Sequence, residues 1–173
     1  GGHRSQAGDQ KRRPTHHAAR ATAVQASAQA MVGSHAEESL NQPSNLSWSP
    51  DSTRIAFAAD VGSGTSIMVV RLGRSGAIQI TDPSLEGIDP AWAPNGGVIA
   101  FQSSATFTLH VVEPDGSDAR RLSTLTNTFL WPDWSPDASR LATTAGVDEQ
   151  SDIFVVSADG STVKVYPSCR ADP

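Results

Sequence analysis

A tryptophan corner that occurs three times constrains this chain more than any other feature. Trp48-Ser49-Pro50-Asp51 returns as Trp92-Ala93-Pro94-Asn95 and as Trp134-Ser135-Pro136-Asp137, at spacings of 44 and 42 residues. The same segments follow each corner. A first apolar run holds Ile55-Ala56-Phe57, Val98-Ile99-Ala100-Phe101 and Arg140-Leu141-Ala142. A second holds Ile67-Met68-Val69-Val70, Leu109-His110-Val111-Val112 and Ile153-Phe154-Val155-Val156. A turn comes next, Arg74-Ser75-Gly76, Pro114-Asp115-Gly116-Ser117 or Ala158-Asp159-Gly160-Ser161, and a last strand over 77–81, 119–123 and 163–166. Ser-Pro-Asp suits a tight turn because proline presets φ and the flanking side chains bond nearby backbone. Asp-Gly suits a hairpin because glycine accepts positive φ.

Each unit therefore reads strand, turn, strand, loop, strand, turn, strand. The second apolar run is apolar on both faces, as expected of a strand covered on both sides. The last strand is more polar, which suits an outer, partly wet position. A four-stranded unit with a period of 40–45 residues is the pattern of a β-propeller blade. A two-layer sandwich is the competing all-β reading, but sandwiches do not repeat such a corner at a fixed period. The predicted fold is all-β: a partial propeller of three four-stranded blades at about 44–86, 87–128 and 129–168, within a region 44–173. Residues 1–43 are expected to be a linker, disordered or partly helical, because they carry few large apolar residues and no broad apolar stripe.

Charge narrows the partners. Residues 1–40 hold five basic and three acidic residues, and residues 41–173 hold eight basic and fifteen acidic. The repeats are thus acidic, which argues against nucleic acid. No run of about 18 apolar residues is present, so no membrane-inserted helix is expected. Cys169 is the single cysteine, which excludes an intrachain disulfide and a cysteine-built metal site. The sequence starts at Gly1 with neither an initiator methionine nor a signal peptide, so a piece of a longer protein is expected.

Candidate chemistry is sparse. No Gly-x-Ser-x-Gly elbow occurs, and the Gly62-Ser63-Gly64-Thr65-Ser66 stretch lacks the Gly-Lys-Ser/Thr ending of a phosphate cradle, so it reads as a connector. His3, His16, His17 and His35, and the Lys11-Arg12-Arg13 run, read as solvated linker positions. His110, inside a strand, reads as a satisfied core histidine. Asp51, Asn95 and Asp137 read as turn caps rather than calcium ligands, since calcium needs several converging oxygens. The three corner tryptophans read as wedges between blades. Asn45-Leu46-Ser47 is a glycosylation sequon only in a secreting eukaryote. No catalytic residue, metal or cofactor is expected.

The corner and strand pattern, Pro90-Ala91-Trp92-Ala93-Pro94-Asn95-Gly96 through Arg121-Leu122-Ser123 with its two sister copies, resembles the TolB-type propeller repeat over residues 44–166. The resemblance implies six- to eight-bladed rings and periplasmic or extracellular proteins that bind protein partners. A non-catalytic protein-binding scaffold is the reading preferred from it, with the gating part of a prolyl-oligopeptidase-like serine peptidase or a sugar-acting lyase, and then the sensor part of a membrane-anchored signalling protein, as the alternatives it also implies. The chain departs from the pattern where Ser52 and Ala138 replace the glycine after Pro-Asp; a type I turn is expected to tolerate both. Three blades do not close a ring. Further blades are the preferred completion, and pairing with a second copy is the alternative.

Recognition is expected at the end carrying the longer, less repeated loops 60–66, 103–108 and 144–151, with the interblade connections 82–90 and 124–132. Phe107, Phe129 and Trp131 are the candidate partner-binding aromatics, and Asp148 and Glu149 form an acidic rim. The other reading of the aromatics is that they plug gaps between blades.

Overall fold

The computed structural model describes residues 43–122, 128–147 and 150–167. It contains three antiparallel four-stranded sheets, each a meander in chain order. Blade 1 is β1 (Ser44–Trp48), β2 (Arg54–Asp60), β3 (Thr65–Arg71) and β4 (Ala77–Gln79). Blade 2 is β5 (Gly87–Trp92), β6 (Ile99–Ser103), β7 (Thr108–Val112) and β8 (Arg120–Arg121). Blade 3 is β9 (Thr128–Trp134), β10 (Arg140–Val147), β11 (Gln150–Ser157) and β12 (Val163–Tyr166). β1 packs beside β5 and β5 beside β9, so the first strands line the inside of the stack. The last strand is shorter than the sequence pattern suggests in blades 1 and 2, ending at Gln79 and Arg121. The partly helical linker expected over residues 1–43 falls, but for its last residue, outside the described residues.

The corner turns explain why the repeat exists. In blade 1 the Ser52 N–H donates to the Ser49 carbonyl at 2.9 Å, and the Thr53 N–H to the Asp51 carboxylate at 3.0 Å. Blade 3 repeats this with Ala138 to Ser135 at 2.8 Å and Ser139 to Asp137 at 3.0 Å. Blade 2 uses Asn95, whose side-chain oxygen accepts from the Gly97 N–H at 2.9 Å. The Ser49 hydroxyl, with the Thr53 amide and hydroxyl, holds Asp51 down to a pKa of about 2, and the Ser135 hydroxyl, with the Ser139 amide and hydroxyl, does the same for Asp137.

One expectation about this turn is corrected. Ser52, Gly96 and Ala138 all have left-handed backbone, with φ of 57°, 76° and 56°. The turn closes through a left-handed residue, where a side chain costs about 1–2 kcal/mol. Serine and alanine are therefore strained here rather than neutral.

Two cores lie between the sheets. Ile67 and Val69 of blade 1 pack with Trp92, Ile99 and Phe101 of blade 2. Leu109 and Val111 of blade 2 pack with Trp134, Leu141 and Val156 of blade 3. Trp134 also donates its indole N–H to the Ala91 carbonyl of the preceding blade at 3.1 Å. Trp92 and Trp134 are interblade wedges, whereas Trp48 is not: it is 57% exposed, because no described sheet precedes it.

Candidate binding face

The long loops converge at the end where β5 begins, since Gly87 pairs with Ser103 and the β6–β7 loop follows directly. They are knit together. The interblade connection opens on a 3₁₀ turn at Pro83–Leu85, capped by Asp82, which accepts from the Ser84 N–H at 2.8 Å. Ser84's hydroxyl and N–H hold the Asp82 carboxyl below its usual range. The Ser103 hydroxyl donates to the Leu85 carbonyl at 2.6 Å, and the Ser104 N–H to the Glu86 carbonyl at 3.1 Å. Gly64, at the β2–β3 turn, lies so close to Pro83 that a Cβ would stand 2.6 Å from its carbonyl oxygen. Gly64 thus serves close approach between two loops, in keeping with its reading as a connector.

A run of hydroxyls leads from the β6–β7 loop inward. Thr106 bonds Ser103 at 2.8 Å and Thr108 at 2.6 Å, and Thr108 bonds His110 Nε2 at 2.8 Å. His110 is buried, its ring 5.3 Å from that of Phe101. Burial first, and the Arg121 charge second, push its pKa below the usual histidine value. It is a satisfied core histidine.

The same loop holds Phe107 with left-handed backbone, φ 54°, and 52% exposed. Trp131, on β9, is also left-handed at φ 52° and is 68% exposed. Trp131 shares its backbone position with Asn45 and Asp89, at φ 54° and 51°. Each stands three residues before the corner tryptophan, where the ladder shifts register. The three positions form one hydrogen-bonded line around the inside of the stack. Asn45 donates its amide to the Asp89 carboxylate, which also accepts the Trp131 backbone N–H. Burial raises the Asp89 pKa, against the pull of those two donors.

Asparagine and aspartate tolerate left-handed backbone, and a large aromatic does not. Blade 3 thus places a tryptophan where its sisters place the favoured residues. Both side chains are exposed, so neither fills a gap between the described blades. No ring contact joins them among the described residues. Phe129 lies on β9 opposite Ala145, two residues before Trp131. Asp148 and Glu149 fall outside the described residues. The bulge line was missed in the sequence, although each member stands at the same distance before a corner tryptophan. Among the described residues no group of three or more His, Cys, Asp or Glu could hold a metal ion, and no helix is long and apolar enough to cross a membrane.

No protein-family model matches the chain. The chain is 28% identical over 115 residues to the uncharacterized peptidase YuxL of Bacillus subtilis, covering 61% of this chain and 18% of that protein. It is 29% identical over 111 residues to a TolB homolog of Chlorobium luteolum, covering 62% of this chain and 25% of that protein. The chain thus spans a quarter or less of the curated relatives it matches. TolB from Acinetobacter baumannii superposes with a TM-score of 0.62 at 18% identity, over 72% of this chain and 32% of that one. The three described sheets have the fold of a TolB-like β-propeller. In this chain the corner turns and interblade wedges are the scaffold, and the left-handed aromatics are its local departures.

Proposed function

We propose that this TolB-like propeller is a non-catalytic scaffold that binds a protein partner at its loop end, with Trp131 and Phe107 as anchors. One observation carries the reading: two large aromatics occupy left-handed backbone and stay in solvent. Each such residue costs about 1–3 kcal/mol, and strain of this kind concentrates at functional sites. Neither side chain recovers that cost by burial in this chain. Exposed aromatics on a rigid scaffold supply large contact area at low entropic cost, as binding hot spots do. Phe129, Asp148 and Glu149 belong to the same proposed surface by their place in the chain. A periplasmic or extracellular setting goes with the likeness to TolB proteins.

The test is capture from an envelope extract on immobilised chain, compared with Trp131→Asn and Phe107→Gly. A bound protein retained by the parent chain and lost by both variants is the expected result. Equal retention by all three refutes the assignment. Each variant should also be more stable by about 1 kcal/mol, since the left-handed strain is relieved. The likeness to YuxL favours a second reading, in which the same loop end faces a peptidase domain. Binding of a separately produced peptidase domain, rather than an envelope protein, would favour it. Peptidase turnover by the purified chain alone would refute the non-catalytic reading.

A further inference from the structure

Four contacts join the loop end to the buried imidazole, and the supply of hydrogens gives them a direction. The Leu85 carbonyl meets the Ser103 hydroxyl at 2.6 Å, Ser103 meets Thr106 at 2.8 Å, Thr106 meets Thr108 at 2.6 Å, and Thr108 meets His110 Nε2 at 2.8 Å. Each contact needs one hydrogen between its two heavy atoms. The carbonyl at one end has none to give, and each of the three hydroxyls has a single one. Ser103 therefore donates to Leu85, Thr106 to Ser103, and Thr108 to Thr106. The remaining hydrogen must come from the imidazole, so Nε2 is the nitrogen that carries it. Burial, and then the Arg121 charge, keep the ring neutral near neutral pH, so Nδ1 is bare.

The run also brackets the strained aromatic. Phe107 stands between Thr106 and Thr108, whose side chains both join the run, and the Thr106 N–H donates to Ser103 Oγ at 3.2 Å. Strained backbone persists only where its surroundings over-determine it. With both neighbours tied inward, Phe107 keeps its φ of 54° and its exposed ring. The other end of the run holds the Pro83–Leu85 turn, so one imidazole ties the β6–β7 loop to the interblade connection. All of these groups belong to the middle blade and the connection entering it, and a described sheet lies on either side. The sister blades place Met68 and Phe154 where blade 2 places His110, so the run is particular to this blade.

We propose that His110, fixed as its Nε2–H tautomer, is the positioning residue of the loop end: the hydrogen it donates sets the direction of the hydroxyl run and, through it, the pose of Phe107. A hydrogen on Nδ1 instead leaves the contacts one hydrogen short, and one link of the run opens. Partner binding by Phe107 is a separate matter, because the run fixes the loop with or without a partner.

The test reads the tautomer and the loop separately. In the full chain near neutral pH, long-range proton–nitrogen correlation spectra should show His110 with its hydrogen on Nε2 and a bare Nδ1. A hydrogen on Nδ1 overturns the proposal without any variant. His110→Gln keeps an amide donor near the place of Nε2, whereas His110→Asn puts it near the place of Nδ1. The Thr106 amide hydrogen should exchange about tenfold faster in His110→Asn, as for one lost hydrogen bond, and near the parent's rate in His110→Gln. The Gly96 amide, which donates to the Ala93 carbonyl at the opposite end of the blade, should keep the parent's rate in both. Equal exchange at Thr106 in the two variants, or a rise shared by Gly96, overturns the positioning role. Thr108→Val cuts the run without touching the ring and should match His110→Asn; a Thr106 amide as protected as the parent's overturns the run. Failure of partner capture while these results stand refutes the loop-end reading and not this one.

Discussion

Replacing Trp134 by alanine should show how much the interblade wedge contributes. A buried tryptophan removes about 150–250 Å² from water. At about 25 cal/mol per Å² this corresponds to about 4–6 kcal/mol, an upper bound because the unfolded chain already buries some surface. Measured Trp→Ala losses in cores run about 3–5 kcal/mol. The lost indole bond to the Ala91 carbonyl adds a smaller share, about 1 kcal/mol. Trp134→Ala should therefore cost about 3–5 kcal/mol, and Trp134→Phe about 1–2 kcal/mol, against a total of about 5–15 kcal/mol for a domain. Trp48→Ala, at the same repeat position but 57% exposed, should cost less than about 1 kcal/mol in dilute, monomeric protein. The assay is urea unfolding followed by far-ultraviolet circular dichroism. Equal costs at Trp48 and Trp134 would refute the wedge argument, because only the sheet preceding blade 3 distinguishes the two sites.

Three further outcomes follow from particular residues. Ala138→Gly should stabilise the chain by about 1 kcal/mol, because the left-handed backbone at φ 56° suits glycine; a lower thermal midpoint would contradict this. Gln102→Leu should also stabilise, by about 1–2 kcal/mol in urea unfolding, since the Gln102 Oε1 is buried with no hydrogen-bond partner among the described residues. Asp51, Asp137 and Asp159 have folded pKa values of about 2, below their ordinary 3.8. Depressed carboxyl pKa values stabilise the fold above pH 4, and that contribution is lost as pH falls from about 4 to 2. Asp137→Asn, which copies the uncharged corner of blade 2, should flatten the fall in urea midpoint across that window; an unchanged slope would refute the assignment.

Much of the scaffold is legible in the sequence because it rests on local chemistry repeated three times. Ser-Pro-Asp and Asp-Gly encode turns within five residues, and the Ile-Met-Val-Val run announces a strand covered on both faces. The turn-capping role of Asp51 and Asn95 follows from the same local logic. The left-handed line of Asn45, Asp89 and Trp131 is less visible, because its bonds run between blades, 44 residues apart at the first step. Pattern alone shows that Trp131 replaces Asp89, but not that the shared backbone is one a tryptophan resists. The strain at Ser52 and Ala138 is hidden for a similar reason: a four-residue turn motif does not report the φ of its last member. Exposure of Trp48 depends on which sheet precedes it, a fact of the stack and not of the corner.

Successive repeats are separate sheets stacked face to face, with Trp92 and Trp134 each lodged against the sheet before it. Nuclear Overhauser contacts of the tryptophan rings test it directly. Trp92 should see the methyls of Ile67 and Val69, and Trp134 those of Leu109 and Val111, with no contact between the two sets. Contacts from both rings to one shared set of methyls would mean a single two-layer core and would contradict the stacked-blade account.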